Sequence, residues 1–149
     1  MNSEQYTTWS EVQSEAQALV GRRVINAQLG LGSILILDFR DNDGNIDAYL
    51  RCESAWLLAR GGVGVVGSFD DREAQEEAIS ALVGSEVRSL ELGRLMQVAI
   101  VFSDEHELLL LPSYAVSSEY ENWVLRLANG IAYTAGPGPR LFSGLATEP

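Results

Sequence analysis

Three short stretches of this chain have residue types that could do chemistry. Gly62, Gly64 and Gly67 follow the G-x-G-x-x-G pattern with which a loop and a helix N-terminus bind a dinucleotide phosphate. Residues 41–47 carry aspartate and asparagine around a glycine, an oxygen-rich arrangement of the kind that calcium prefers. The single histidine, His106, could act as a general base or as a metal ligand. Each pattern also has a simpler structural explanation.

The glycine pattern is a poor candidate for a phosphate site. Helix-capping residues follow only at Asp70 and Asp71, so the helix is expected to begin after the glycines and not within them. Two carboxylates at that point would also repel a phosphate. We therefore predict an ordinary strand at 63–67 and no nucleotide cofactor.

The acidic loop and the histidine are interpreted as turns. The loop lacks the third ligand before its glycine and the closing glutamate of a calcium loop, whereas Asp43-Gly44 between two strand patterns is a hairpin signal. His106 has no companion in a zinc-binding spacing and is interpreted as a solvent-exposed turn residue. Cys52 is the only cysteine, so it has no partner for a disulfide or a thiolate site. The sequence predicts no catalytic residues, no metal site and no cofactor.

The charge balance is strongly acidic. There are 21 carboxylate side chains against 10 basic ones, all of them arginines, and the formal net charge is -11. Nucleic acid is not an expected partner, because binding it requires a concentrated cationic surface. No apolar run approaches the roughly 20 residues that cross a bilayer, and the N-terminus lacks a secretory signal. We expect a cytoplasmic protein that attracts basic partners.

The elements that position these residues follow from helix and strand signals. One amphipathic helix is expected between a capping box at Thr8 and a stop at Gly21. A second is expected between Asp70 or Asp71 and Gly84, with Phe69 packed onto it as a hydrophobic staple. Short connections indicate antiparallel meanders. The predicted strands are 23–29, 34–39, 46–53, 55–60, 63–67, 86–92, 97–102, 107–111, 122–128 and 131–135.

The two halves of the chain resemble each other in sequence. A shift of 63 positions aligns residues 18–41 with residues 81–104 without a gap and gives nine identities. With a small insertion in the second half, Trp56 then aligns with Trp123. Both tryptophans are predicted to be core anchors, because a buried aromatic ring supplies a large apolar area.

This repeat predicts an α+β fold. We expect a tandem duplication of a helix followed by an antiparallel β-meander, with the two halves related by a pseudo-twofold axis. Residues 1–149 would form a single domain built of two repeats, 8–67 and 71–136. A Gly/Pro-rich C-terminal tail, 137–149, is expected to run over the surface.

The second half carries four motifs that occur together elsewhere. They are Phe102-Ser103-Asp104, Leu109-Leu110-Leu111-Pro112, Tyr120-Glu121-Asn122-Trp123 and Gly136-Pro137-Gly138. In these motifs the chain resembles a family of small uncharacterised bacterial α+β domains with Tyr-Glu-x-Trp and Pro-Gly motifs. It departs from them where Glu105-His106 replaces a glycine turn. The family has no assigned activity, but some similar acidic proteins look like immunity partners of bacterial toxins, which implies a role in protein binding.

Together these observations predict a non-enzymatic acidic binding protein, of immunity or accessory type, that occludes a basic, toxin-like protein partner. The predicted contact residues are Asp104, Glu105, Glu119, Tyr120, Glu121 and Asn122. An alternative is a small-molecule or nucleotide-binding regulator, or an enzyme, with a site at the junction of the two repeats lined by Arg51, Arg60 and Arg126. A homodimer that pairs through a free sheet edge is a further possibility.

Overall fold

The computed structural model of the chain describes residues 5–114 and 121–145. Of these residues, 48% lie in strands and 15% in helices, so the described fold is mostly β. The helices are α1 (Trp9–Ala16), continued by a 3-10 turn at Gln17–Leu19, and α2 (Arg72–Ser80). The strands are β1 (Gln5–Tyr6), β2 (Arg23–Leu29), β3 (Leu35–Arg40), β4 (Ile46–Cys52), β5 (Ala55–Arg60), β6 (Val63–Gly67), β7 (Val87–Leu92), β8 (Val98–Phe102), β9 (His106–Leu111), β10 (Trp123–Arg126), β11 (Ile131–Ala135) and β12 (Leu141–Leu145).

The strands form two antiparallel sheets. Sheet A has the order β1-β12-β11-β10-β4-β3-β2, and sheet B has the order β6-β5-β9-β8-β7. The chain passes from sheet A to sheet B between β4 and β5, and it returns between β9 and β10. Each sheet therefore contains strands from both halves of the sequence.

The predicted α+β tandem duplication, with two helix-and-meander halves related by a pseudo-twofold axis, is wrong. Two separate meanders would keep β2 to β6 in one sheet and β7 to β11 in the other, but β5 pairs with β9 and β4 pairs with β10. Where the chain passes from sheet A to sheet B between β4 and β5, the backbone N–H groups of Glu53 and Ser54 donate to the carbonyl oxygen of Asn122, at 2.8 and 3.1 Å. A local sequence pattern shows that a segment is extended, but it does not choose its distant pairing partner.

The two helices pack beside the sheets. α1 contacts β7 and buries Val12 and Ala16, whereas α2 contacts β2 and β6 and buries Ile79. The predicted cap of α1 is confirmed, because the Thr8 side chain accepts a hydrogen bond from the backbone N–H of Glu11 at 3.2 Å. Across the described ranges, no helix has the length and apolar character needed to span a membrane.

One hydrophobic core joins the inner faces of both sheets. Trp56 and Trp123 are among its largest fully buried side chains, which confirms the prediction that they anchor the core. The indole N–H of Trp56 donates to the carbonyl oxygen of Ser33, and that of Trp123 donates to the carbonyl oxygen of Met96, both at 2.8 Å. A buried indole needs such an acceptor, so each tryptophan also fixes a turn to its sheet.

The predicted C-terminal tail is also wrong in part. Leu141–Leu145 does not run freely over the surface but forms β12, which pairs with β11 on one side and with β1 on the other. Leu141 packs against the core, and the ring of Phe142 stacks on that of Tyr6 with centroids 5.0 Å apart. Backbone pairing on both sides and the partial burial of Leu141 and Phe142 hold this strand in place.

Candidate functional site

The glycine pattern lies on an edge strand, as its interpretation as a strand predicted. Val63–Gly67 forms β6 at the edge of sheet B, and α2 begins only at Arg72 with Asp71 as its N-cap residue. The N-terminal amides of the helix therefore lie beyond the glycines, and carboxylates stand between the two. This geometry gives no support to a phosphate site.

Residues 41–45 form the turn between β3 and β4, which confirms the hairpin interpretation. One carboxylate oxygen of Asp41 accepts the backbone N–H groups of Asp43 and Asn45, at 2.9 and 3.0 Å. The hydrogen bond from Asn45 is the main cause that holds the pKa of Asp41 below its usual value. Within the described ranges, no group of three or more His, Cys, Asp or Glu residues is placed to hold a metal ion.

His106 is buried, so the prediction of a solvent-exposed turn residue is wrong. Its side chain is 7% exposed, and its Nδ1 atom lies 2.7 Å from a carboxylate oxygen of Asp104. Glu105 takes a positive φ of 72°, so the turn is complete before His106, which joins β9 and faces the core. Burial opposes ionisation of Asp104, but hydrogen bonds from His106 and Ser85 hold the pKa of Asp104 below its ordinary value.

Of the predicted contact residues around Trp123, some lie outside the described residues and one is buried. Glu119 and Tyr120 lie outside the described residues. Asn122 is 4% exposed, and its amide group bonds the backbone N–H and carbonyl of Ser113, at 2.8 and 2.9 Å. Asn122 therefore holds the chain together at the sheet crossing and offers no surface to a partner.

The other predicted contact residues lie at two positions, near opposite ends of β9. Glu121 pairs with Arg51, with 2.6 Å between Oε2 and Nη2, and it directly precedes Asn122, which bonds Ser113 just after the end of β9. Asp104 and Glu105 precede the start of β9. The six residues of β9 separate these positions by roughly 17 Å at the usual rise of a strand. A standard interface covers about 800 Å² on each partner, so one docking surface can include both positions, and the contact role of Glu121, Asp104 and Glu105 stays a prediction.

A small cavity between the sheets is lined by apolar side chains. The lining includes Leu50 and Leu125 from sheet A, Leu90 and Ile100 from sheet B, and Val12 from α1. None of Arg51, Arg60 and Arg126 lines it. A ligand site usually orients its ligand with a few polar groups, so this cavity gives no support to the small-molecule alternative.

Two adjoining loops carry apolar side chains that are almost fully exposed. Leu31, in the turn between β2 and β3, is 90% exposed, and Phe69, between β6 and α2, is 94% exposed. Scattered exposed apolar residues are common on protein surfaces, so exposure alone does not mark a site. What distinguishes this pair is the set of contacts that joins their loops.

Arg72 joins the two loops from the start of α2. Its guanidinium donates to the carbonyl oxygens of Leu29, Gly30 and Gly32, at 3.2, 3.0 and 2.7 Å. Hydrogen bonds from an ionised donor are about twice as strong as neutral ones. One side chain therefore fixes the turn that presents Leu31 against the loop that presents Phe69.

Gln75 joins the same loops from the interior. It is 1% exposed, and its Nε2 atom lies within hydrogen-bonding distance of Ser33 Oγ, at 3.2 Å, and of the carbonyl oxygens of Ser68 and Asp70, at 3.1 and 2.6 Å. Buried polar contacts of this kind favour one arrangement of the chain. We name Leu31, Phe69 and the two loops that carry them the apolar anchor.

Carboxylates lie directly beside the apolar anchor. Residues 70–77 contain five acidic side chains and one basic side chain, Arg72, whose Nε atom pairs with Glu76 at 2.9 Å. The five acidic residues, all exposed, are Asp70, Asp71, Glu73, Glu76 and Glu77. A surface that fits the anchor would combine an apolar pocket with a basic rim.

Sequence reasoning missed both residues of the anchor. The prediction that Phe69 packs on α2 as a staple is wrong, because the N-cap is Asp71 and the staple position directly before the cap is therefore Asp70. Leu31 stands between Gly30 and Gly32, which indicates a turn tip but not its contacts. The fixed geometry of the anchor depends on Arg72, which contacts residues about forty positions earlier in the chain. No local sequence pattern shows such a contact.

Comparison with family models, with curated proteins and with solved structures gives no match for this chain. The resemblance to small bacterial α+β domains stays a prediction. The function is therefore argued from the geometry and charge of the apolar anchor.

Proposed function

We propose that this protein is a non-enzymatic acidic binding protein, of immunity or accessory type, that occludes a basic protein partner. The observation that carries the proposal is the apolar anchor, in which Leu31 and Phe69 are held at 90% and 94% exposure beside a run of carboxylates. Binding energy at protein interfaces is concentrated in a few apolar or aromatic residues that enter a pocket of the partner and are ringed by polar groups. The anchor has this composition.

The energetics of the anchor support a binding role. Leaving a phenylalanine in water forgoes roughly 1.5–3 kcal/mol of burial free energy. Arg72 and Gln75 nevertheless hold the loops in the arrangement that keeps both side chains exposed. A surface that is already ordered loses less conformational entropy on association, so a rigid anchor favours binding.

The charge of the protein supports a basic partner. The net charge of -11 raises the association rate with a cationic surface, and the carboxylates beside Phe69 steer that surface toward the anchor. We therefore expect fast association that weakens as salt screens the charges. Glu121, Asp104 and Glu105 would add long-range attraction without forming part of the anchor.

We also place this function in the cytoplasm. Cys52 is the single cysteine of the chain, and burial is the main cause that raises its pKa to about 11. A buried, protonated thiol is compatible with a reducing compartment, and it contributes nothing to the proposed interaction.

A capture experiment with matched variants tests the proposal. The purified full chain is immobilised and exposed to extract from its native host at low and at high salt. We expect a basic protein to bind at low salt, to be lost with Phe69→Ser or Leu31→Ser, and to remain with Ile46→Ser. Ile46 is a suitable control because it is 61% exposed but lies at the turn between β3 and β4. Capture of no basic protein, or equal capture by all variants, would contradict the proposal.

A further inference from the structure

The side of sheet B that faces away from the core is apolar. Alternate residues of a strand lie on opposite faces of its sheet. In β5, β9 and β8, the residues that alternate with the core residues form two rows across the three strands. The first row is Leu57, Leu109 and Ala99, and the second row is Ala59, Glu107 and Val101. We name these six residues the outer face; five of them are apolar.

Within the described ranges, no element covers the outer face. Leu57, Leu109 and Val101 are half-buried, and none of them belongs to the hydrophobic core. The apolar side chains that α1 and α2 bury belong to that core, so both helices pack on the inner side of the sheet. An antiparallel sheet with one face in solvent usually has polar residues on that face. The outer face therefore has the character of a binding surface.

Sheet A shows the usual pattern on its corresponding side. One row there consists of Asn26, Asp38, Tyr49 and Arg126. The side-chain amide of Asn26 donates to Asp38 at 2.9 Å, and the guanidinium of Arg126 lies 5.4 Å from the centroid of the Tyr49 ring. An apolar outer side is thus a property of sheet B and not of the whole fold.

Glu107 is the one charged residue of the outer face. It is half-buried, and it makes no ion pair with any of the described residues. Covering an unpaired carboxylate is costly unless the covering surface brings an opposite charge. The charge of the outer face therefore favours an apolar occupant that carries one cation.

The dimensions of the outer face fit a single helix. Its outer strands, β5 and β8, lie roughly 10 Å apart on either side of β9, and its two rows lie roughly 7 Å apart. A helix with its side chains is about 10–12 Å wide. A second copy of this chain is a poorer fit, because a standard interface covers about 800 Å² on each partner and the second copy would bring another Glu107 without a cation.

We propose that the outer face of sheet B docks an amphipathic helix of a partner protein, whose apolar stripe contains one basic residue that pairs with Glu107. The helix would lay residues spaced three and four apart along Leu57 and Leu109. None of the six residues belongs to the apolar anchor, so this surface is independent of the proposed function.

Selection from a peptide library tests the charge of the occupant. The probe is a display library of helical peptides of about 14 residues, with leucine at three positions of one stripe and a random residue at the fourth. The full chain and its Glu107→Lys variant are the two targets. Lysine and arginine are expected to be enriched at the random position with wild type, and aspartate and glutamate with Glu107→Lys.

The affinity of one selected peptide tests the place of binding. Fluorescence anisotropy is measured with wild type, Leu109→Asn and the matched control Val124→Asn, which lies on the outer side of sheet A. Leu109→Asn is expected to bind at least tenfold more weakly than wild type, and Val124→Asn is expected to bind like wild type. Val101→Asn takes the place of Leu109→Asn if circular dichroism shows that the latter does not fold.

Three results would overturn the proposal. The first is a selection that enriches no basic residue with wild type or gives the same residues with Glu107→Lys. The second is a selected peptide that binds Leu109→Asn as tightly as wild type. The third is a wild-type dimer in sedimentation velocity that Leu109→Asn dissociates, because a second copy would then be the occupant of the outer face.

Discussion

The guanidinium of Arg72 donates to the carbonyl oxygen of Gly32 at 2.7 Å, which joins the first residue of α2 to the turn between β2 and β3. The same side chain also bonds the carbonyl oxygens of Leu29 and Gly30. Because Phe69 lies in the loop that leads into this helix and Leu31 lies in this turn, the contact sets the relative position of the two exposed apolar side chains. The rigidity of the proposed binding surface depends on it.

Replacing Arg72 should loosen the turn without unfolding the protein. In Arg72→Ala the turn loses three hydrogen bonds, and we expect faster amide hydrogen exchange in residues 29–33. Arg72→Lys should restore only part of the protection, because a single ammonium group cannot match the guanidinium fork. The loss of global stability should be about 1 kcal/mol or less, since the side chain is half-exposed.

Hydrogen exchange with mass spectrometry checks this prediction, with Arg88→Ala on the exposed side of β7 as the control. Unchanged exchange in residues 29–33 of Arg72→Ala would show that the turn is held by something else.

Replacing Gln75 should destabilise the whole protein. Gln75→Leu fills the same space but leaves the carbonyl oxygens of Ser68 and Asp70 without their buried donor. An unsatisfied buried polar group costs about 1–3 kcal/mol, so we expect a loss of this size in the free energy of unfolding. Urea denaturation measures it, with Glu77→Gln on the exposed face of α2 as the control. A stability equal to that of wild type would mean that water replaces the amide.

Replacing Trp56 should cost more than replacing Trp9. Both indole N–H groups donate to a backbone carbonyl, Trp56 to Ser33 at 2.8 Å and Trp9 to Leu92 at 2.7 Å. Only Trp56 is fully buried, so Trp56→Phe also leaves a cavity, and we expect a loss of roughly 2–4 kcal/mol. Trp9→Phe should lose about 1 kcal/mol. Thermal and urea unfolding of both variants make the comparison, and equal losses would contradict it.

The Asp104–His106 pair should make stability depend on pH in the acid range. The pKa of Asp104 is lowered in the folded protein from its ordinary value of 3.8. Its contribution to stability is therefore fully present above about pH 5, and it is lost as the pH falls through the folded-state pKa. Asp104→Asn should flatten the fall in stability below pH 5.

Unfolding free energies at a series of pH values between 7 and 2 test this dependence. Asp43→Asn, in the exposed turn between β3 and β4, is the control that removes a carboxylate without removing this pair. If the pH profile of Asp104→Asn matches that of wild type, the hydrogen bond to His106 does not stabilise the folded state.

The local elements could be predicted from the sequence because their signals lie within a few residues. The strands Arg23–Leu29 and Ala55–Arg60 occur at their predicted bounds. The hairpin turn that begins at Asp41 is also present where its turn residues predict it. The burial of both core tryptophans could be predicted in the same way, since large aromatic side chains in strand segments are usually buried.

The sheet partners and the candidate site could not be predicted in this way. The pairing of β4 with β10 joins positions about seventy residues apart, and no periodicity specifies it. His106 is buried because Glu105 takes a left-handed backbone conformation. This conformation is uncommon for residues other than glycine, so the residue types in the turn do not predict it. The apolar anchor likewise depends on the long reach of Arg72, so its two residues look ordinary in the sequence.

The most direct test of the proposed function is the affinity of the captured basic protein for three forms of the full chain, measured by calorimetry at one salt concentration. We predict that Phe69→Ser binds at least 30-fold more weakly than wild type, as expected for an interface residue worth 2 kcal/mol or more, and that Ile46→Ser binds like wild type. Equal affinity of all three forms would show that the partner does not use the apolar anchor and would contradict the account.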